Sequence, residues 1–131
     1  MRSFYIFLFV GLFLIEARVF ADVTIITNNE IDVSKDDIDD IFSGDKLTVG
    51  AIKLNLVENR AIIDEFCKKV MKMDSSKYMS QWAKKSFRDG VSIPKMKNSD
   101  TEVLDYVKST PGGVGYISGG APAGVKAVAK Y

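Results

Sequence analysis

Histidine is absent from the 131 residues, which removes imidazole as a general base and as the commonest ligand of transition metals. Cysteine occurs once, at Cys67. No intramolecular disulfide can form, so the fold must stand on packing even in an oxidising compartment. Net charge is nearly absent too, with 18 basic and 17 acidic side chains. Such a balance leaves no electrostatic footprint for nucleic acid or an anionic membrane surface. Without histidine, and with no carboxylates paired across opposing elements, there is no recognisable set of acid, base and nucleophile. The chain is therefore not expected to be an enzyme, and no cofactor is implied.

Long apolar runs are limited to the start. Arg2 opens the chain, Phe4 to Ile15 form an apolar stretch, and Val19-Phe20-Ala21 fits the small-residue rule for signal peptidase. Glu16 and Arg18 cut the stretch short of the roughly 20 apolar residues that span a bilayer. Residues 1–21 read as a signal peptide cleaved after Ala21, with an uncleaved membrane anchor as the alternative, and the localisation expected is periplasmic or secreted. No cysteine stands at the cleavage point to carry a lipid, and no membrane span is expected afterwards. The leader holds Arg2, Arg18 and Glu16, so residues 22–131 balance 16 basic against 16 acidic side chains. That length suits one domain with one core and is too short for two lobes.

Within residues 22–131 the pattern alternates strands and helices. Val23-Thr24-Ile25-Ile26-Thr27 is β-branched and stops at Asn28-Asn29. Ser34 is placed to cap a helix with Ile38, Ile41 and Phe42 at helical spacing and Gly44 as the stop. Gly50 to Val57 reads as a strand, and Arg60 to Lys72 as a helix with Ile62, Ile63, Phe66, Cys67 and Val70 along its apolar stripe. Ser75 caps a third helix carrying Tyr78, Met79, Trp82, Ala83 and Phe87 before Gly90, and Pro94 lies in a linker. Ser99 and Glu102 form a capping box for a fourth helix whose buried side is Val103, Leu104 and Val107. Pro111-Gly112-Gly113 ends it, Val114 to Ser118 is a strand, and Val125 to Ala129 is a short last strand. This order predicts an α/β fold: a single three-layer α/β/α sandwich around one sheet.

Four phrases, in order, resemble the substrate-binding proteins of phosphate-type ABC transporters. They are Thr27-Asn28-Asn29 with Asp40-Ile41-Phe42-Ser43-Gly44; the stretch from Leu54 to Phe66; Trp82-Ala83-Lys84-Lys85-Ser86-Phe87-Arg88-Asp89-Gly90; and Ser99 to Val107 running into Ser109-Thr110-Pro111-Gly112-Gly113-Val114-Gly115-Tyr116-Ile117. The resemblance implies one lobe of a type-II periplasmic binding protein, a family in which two hinged lobes close on the anion. It also implies an oxyanion such as phosphate as ligand. Where the family has Gly-Ser-Gly-Thr and a basic residue, this chain has Glu58-Asn59-Arg60-Ala61-Ile62. The small residues that let backbone N–H groups approach a phosphate are gone, and Glu58 sets a negative charge beside the place.

The candidate ligand-binding residues are Asn28 and Asn29 after the first strand and Asn59 and Arg60 at the helix start. Their alternative is structural: Asn59 as a helix cap and Arg60 as a solvated side chain. The acids Asp32, Asp36, Asp37, Asp39 and Asp40 lack the spacing and glycine of a calcium loop and read as a solvated face favoured by the helix dipole. Cys67 reads as core. Tyr78, Trp82 and Phe87 could form a stacking surface, or belong to the core. Lys68, Lys69, Lys72, Lys77, Lys84 and Lys85 make a basic face opposite the acidic first helix. That asymmetry suits an envelope protein of opposite charge or a head-to-tail homodimer, with a plain solvated face as the alternative. Two functions follow: an exported binding-protein-like domain holding a small anion weakly, or an interaction module that has lost its ligand.

Overall fold

The computed structural model describes residues 22–131; the signal-peptide reading falls on residues outside that range. Its centre is a five-stranded mixed sheet of β1 (Val23–Asn28), β4 (Asn55–Asn59), β5 (Lys95–Lys97), β6 (Gly113–Ser118) and β7 (Val125–Lys130), in the order β5-β4-β6-β1-β7. β4 runs parallel to β5 and β6, while β1 runs antiparallel to both β6 and β7. A short hairpin of β2 (Thr48–Val49) and β3 (Ile52–Lys53) stands apart.

Alternation of side chains across this sheet divides the core in two. On one face Ile26, Val57 and Ile117 pack under Val103 and Val107 of helix α4 (Asp100–Ser109). On the other, Val23, Ile25, Leu56, Val114 and Tyr116 meet α1 (Ile38–Phe42), α2 (Ile63–Phe66) and α3 (Ser75–Asp89). The α/β/α sandwich expected from sequence is the fold observed.

Local chemistry accounts for most helix ends. Ser34 accepts from the Asp36 N–H and starts a 3₁₀ turn ahead of α1. Ser99 accepts from the Glu102 N–H at 3.3 Å, and Glu102 reaches back to the Asn98 N–H at 3.2 Å, one residue beyond the usual reciprocal partner. At α3 the cap is Asp74, whose carboxylate accepts from the Lys77 N–H at 2.8 Å, and not Ser75.

Five further expectations are corrected. The stretch from Gly50 to Val57 is not one strand, because Gly50 takes φ of 58° and folds Ile52–Lys53 back on Thr48–Val49 before β4 begins. The helix expected from Arg60 starts only at Ile63, and Cys67–Met71 form a π-type turn that ends on Lys72 at φ of 60°. The Pro94 linker contains β5, a lysine-flanked edge strand. Phe87 does not join the α3 stripe but stands 95% exposed, and Leu104 is only half-buried.

The Pro111-Gly112-Gly113 turn sets how closely β6 can lie. Gly112 has φ of 73°, and a Cβ there would stand 2.1 Å from the Lys53 carbonyl oxygen. Gly115 faces α4, where a Cβ would meet Val57 at 2.6 Å and Val103 at 3.0 Å. Gly112→Ala is expected to cost about 3 kcal/mol or more, since a strained backbone and a backbone clash combine. Gly115→Ala, which asks only side chains to yield, is expected to cost about 1–3 kcal/mol. Urea midpoints of the two variants against the parent check the order, and a Gly112→Ala chain as stable as the parent contradicts it.

Candidate functional site

Strand alternation aims neighbouring residues of β4 in opposite directions, and its last two carry the polar chemistry of the molecule. Glu58 points into the helix-rich face and is 1% exposed. Its carboxyl accepts from the Tyr78 hydroxyl at 2.6 Å and from the Tyr116 hydroxyl at 2.7 Å. Phe66 stacks on Tyr116 with ring centroids 3.9 Å apart and meets Tyr78 edge-on at 5.7 Å. An aromatic box thus encloses one carboxyl group. Burial pushes Glu58 up to about 7, against the smaller downward pull of the two tyrosine hydrogen bonds. Burial, with Glu58 nearby, pushes both tyrosine hydroxyls up in turn. Burial also pushes the Cys67 thiol up to about 12, so Cys67 is an inert core side chain.

Asn59 points the other way, toward α4, and is wholly buried. Its amide nitrogen donates to Asp100 Oδ1 at 2.7 Å and to the Tyr116 carbonyl at 3.2 Å, while its oxygen accepts from the Ala61 N–H at 3.0 Å. Asp100 also accepts from the Ser118 N–H and from the Ser118 hydroxyl. The carboxyl ends of β4 and β6 and the start of α4 are therefore joined through one side-chain carboxylate. Arg60 lies outside this knot, exposed, its Nε donating to Asn98 Oδ1 at 3.0 Å.

The structure does not bring the four candidate ligand residues together. Asn28 ends β1 at the opposite edge of the sheet, beside Gly113 and Asn55. Asn59 lies about 13 Å away along the strands, given four residues of rise. The Asn28 amide donates to the carbonyls of Val107 and Thr110 at 3.0 and 3.1 Å, and its oxygen accepts from the Glu30 N–H. It closes the last turn of α4, whose carbonyls have no partner within the helix. Asn29 is exposed. Glu58, read from sequence as a charge next to a ligand, is instead enclosed in the core. Its signal was the alternation Leu54, Leu56, Glu58, which continues one buried face. The acids Asp32, Asp36, Asp39 and Asp40 are exposed, and among the described residues no group of three or more His, Cys, Asp or Glu is placed to hold a metal. Tyr78 and Trp82 are buried, Trp82 donating to the Phe42 carbonyl at 2.9 Å, so they form no stacking surface with Phe87.

At the amino end of β4 lies a cleft of about 340 Å³ between the hairpin, Leu56, Trp82, Tyr106 and the 90–95 segment. Leu47 and Ile93 on its rim are 44% and 48% exposed, and Lys53 and Lys95 flank it. Among the described residues no helix is long and apolar enough to cross a membrane.

Glu58 makes stability depend on pH with a definite sign. The folded chain binds this proton more tightly than the unfolded one, whose glutamate titrates near 4.5. The contribution is therefore fully present below pH 4.5 and is lost as pH rises through about 7, a change of about 3 kcal/mol. Glu58→Gln keeps an acceptor and a donor for the two hydroxyls and has no proton to lose. Denaturation at pH 5 and pH 8 is expected to show the variant gaining on the parent at the higher pH; equal slopes would contradict this.

No family model matches the chain, and no curated protein matches it. Among solved structures it is similar to an ABC-type phosphate transport receptor from Vibrio cholerae, at 17% identity and a TM-score of 0.51. The match covers 82% of this chain and 46% of the receptor, so the chain spans under half the length of that neighbour. What the likeness shows is the fold of a periplasmic-binding-protein lobe.

Proposed function

We propose that this chain is an exported, single-lobe periplasmic-binding-protein-like domain that no longer captures a free oxyanion and works through contact with another protein of the envelope. The observation that carries this reading is the bonding of Asn59. Its amide, on the strand end where the resemblance sets the anion loop, is engaged by the carboxylate of Asp100. Supporting it, the N–H groups of Arg60, Ala61 and Ile62 ahead of α2 are already bonded within the chain, to the Lys97 carbonyl and to the side chain and carbonyl of Asn59. A one-lobe site would also leave any small ligand half in water, whereas good pockets bury most of theirs. The uncovered cleft with its apolar rim and flanking lysines offers a contact surface of the kind a partner with apolar and acidic side chains would fit. The reading assigns no catalytic step and no cofactor.

One observation favours a second reading. Arg60 is exposed next to the start of α2, and the neighbouring fold is that of a phosphate transport receptor. On this reading phosphate or a similar oxyanion is held weakly by Arg60, with a homodimer supplying the second wall.

Thermal melts of the chain from Asp22 onward, in millimolar phosphate, sulfate or chloride, separate the two. Binding to the native state alone raises the melting temperature with ligand concentration. The proposed function predicts the same melting temperature in all three. A phosphate-specific rise that disappears in Arg60→Ala would overturn it in favour of the anion reading.

A further inference from the structure

We infer that Asn59 and Ser118 form a carboxylate-binding subsite, which the native chain fills with its own Asp100. The inference deepens the proposed function and rests on it in one respect: this edge of the lobe is closed to free anions because it is already occupied.

The donors come from two parallel strands, whereas the group they hold comes from a helix. Asn59 Nδ2 meets Oδ1 at 2.7 Å; the Ser118 N–H stands 3.3 Å from each oxygen, and the Ser118 hydroxyl donates to Oδ2. Both oxygens of one planar carboxylate are therefore gripped, and each grip is a donor.

The Asn59 amide and the Ser118 N–H are also fixed independently of what they bind. Asn59 is wholly buried, and its orientation is set by the Ala61 N–H and the Tyr116 carbonyl. Ser118 is the last residue of β6, its neighbour Ile117 pairing with Thr24 of β1. Donors held in place without their ligand need no reorganisation when a charge arrives. Asp100 reaches them through one methylene, so the bound group is in effect a tethered acetate. The grip is shaped for two coplanar oxygens, and the ligand class is a small monocarboxylate. A tetrahedral dianion such as phosphate brings further oxygens for which this donor set has no partner.

Asp100→Gly removes the tethered group and frees its donors for formate or acetate. The variant is expected to melt lower than the parent in chloride. Acetate or formate at equal ionic strength is expected to restore it, by about 5 °C at ten times the dissociation constant. The parent and Asp100→Asn, whose sites remain filled, are expected to show no such difference between acetate and chloride. Adding Ser118→Ala to the glycine variant is expected to weaken the acetate response about tenfold, as for loss of a hydrogen bond to a charged group.

If the glycine variant is unfolded in chloride, recovery of its near-UV circular dichroism on adding acetate is the expected result. An acetate response no larger than that to chloride, in either case, overturns the inference. So does a phosphate response exceeding the acetate response. The parent's response to phosphate and its loss in Arg60→Ala bear on the proposed function alone, so failure of one can be told from failure of the other.

Discussion

The molecule is organised around a carboxyl group that water cannot reach. Glu58 sits where β4 meets three helices, and its hydrogen bonds to Tyr78 and Tyr116 tie α3 to β6 across the core. A buried carboxyl without partners would be strongly destabilising, and the two hydroxyls offset much of that. The aromatic stack of Phe66 on Tyr116, with Phe42 edge-on to Phe66 at 4.9 Å, closes the box. α1, α2 and α3 therefore have one arrangement that satisfies the polar group, which makes the helix-rich face specific as well as compact.

The next residue repeats this on the other face with the reverse chemistry. Asn59 presents a donor, and the group brought to it is the carboxylate of Asp100, which also receives the end of β6. Glu58 and Asn59 together use both sides of one strand end to fasten the two helical layers. In a two-lobed binding protein that edge faces the ligand. In this chain the polar groups there are turned to internal partners, which leaves Arg60 as the exposed candidate at that edge. A lobe so fastened is suited to presenting a fixed surface.

Local features of this fold were legible in the residues. The Ser99–Glu102 box, the β-branched run of β1 and the Pro111-Gly112-Gly113 turn act over a few residues, and each stands where the pattern put it. Phe87 has the residue type of a core position but not the angle of one. At about 100° per residue it lies roughly opposite Tyr78 on α3, so it faces water. The split of the Gly50–Val57 stretch and the existence of β5 depend on pairing with segments elsewhere, and three residues give no period to read. The same holds for the candidate site. Asn28 acts on α4 from 79 residues away and Asn59 on Asp100 from 41, separations over which one sequence carries no signal.

On the proposed function the chain's own Asp100 closes the carboxyl edge of the sheet. Amide nitrogen–proton spectra of residues 22–131, recorded while phosphate is titrated in, report on Asn59, Arg60, Ala61 and Ser118 one by one. No saturable movement of these signals or of the Asn59 side-chain amide is expected. Saturable shifts centred on Asn59 and Ser118 would contradict it, showing an edge that is open to a free oxyanion.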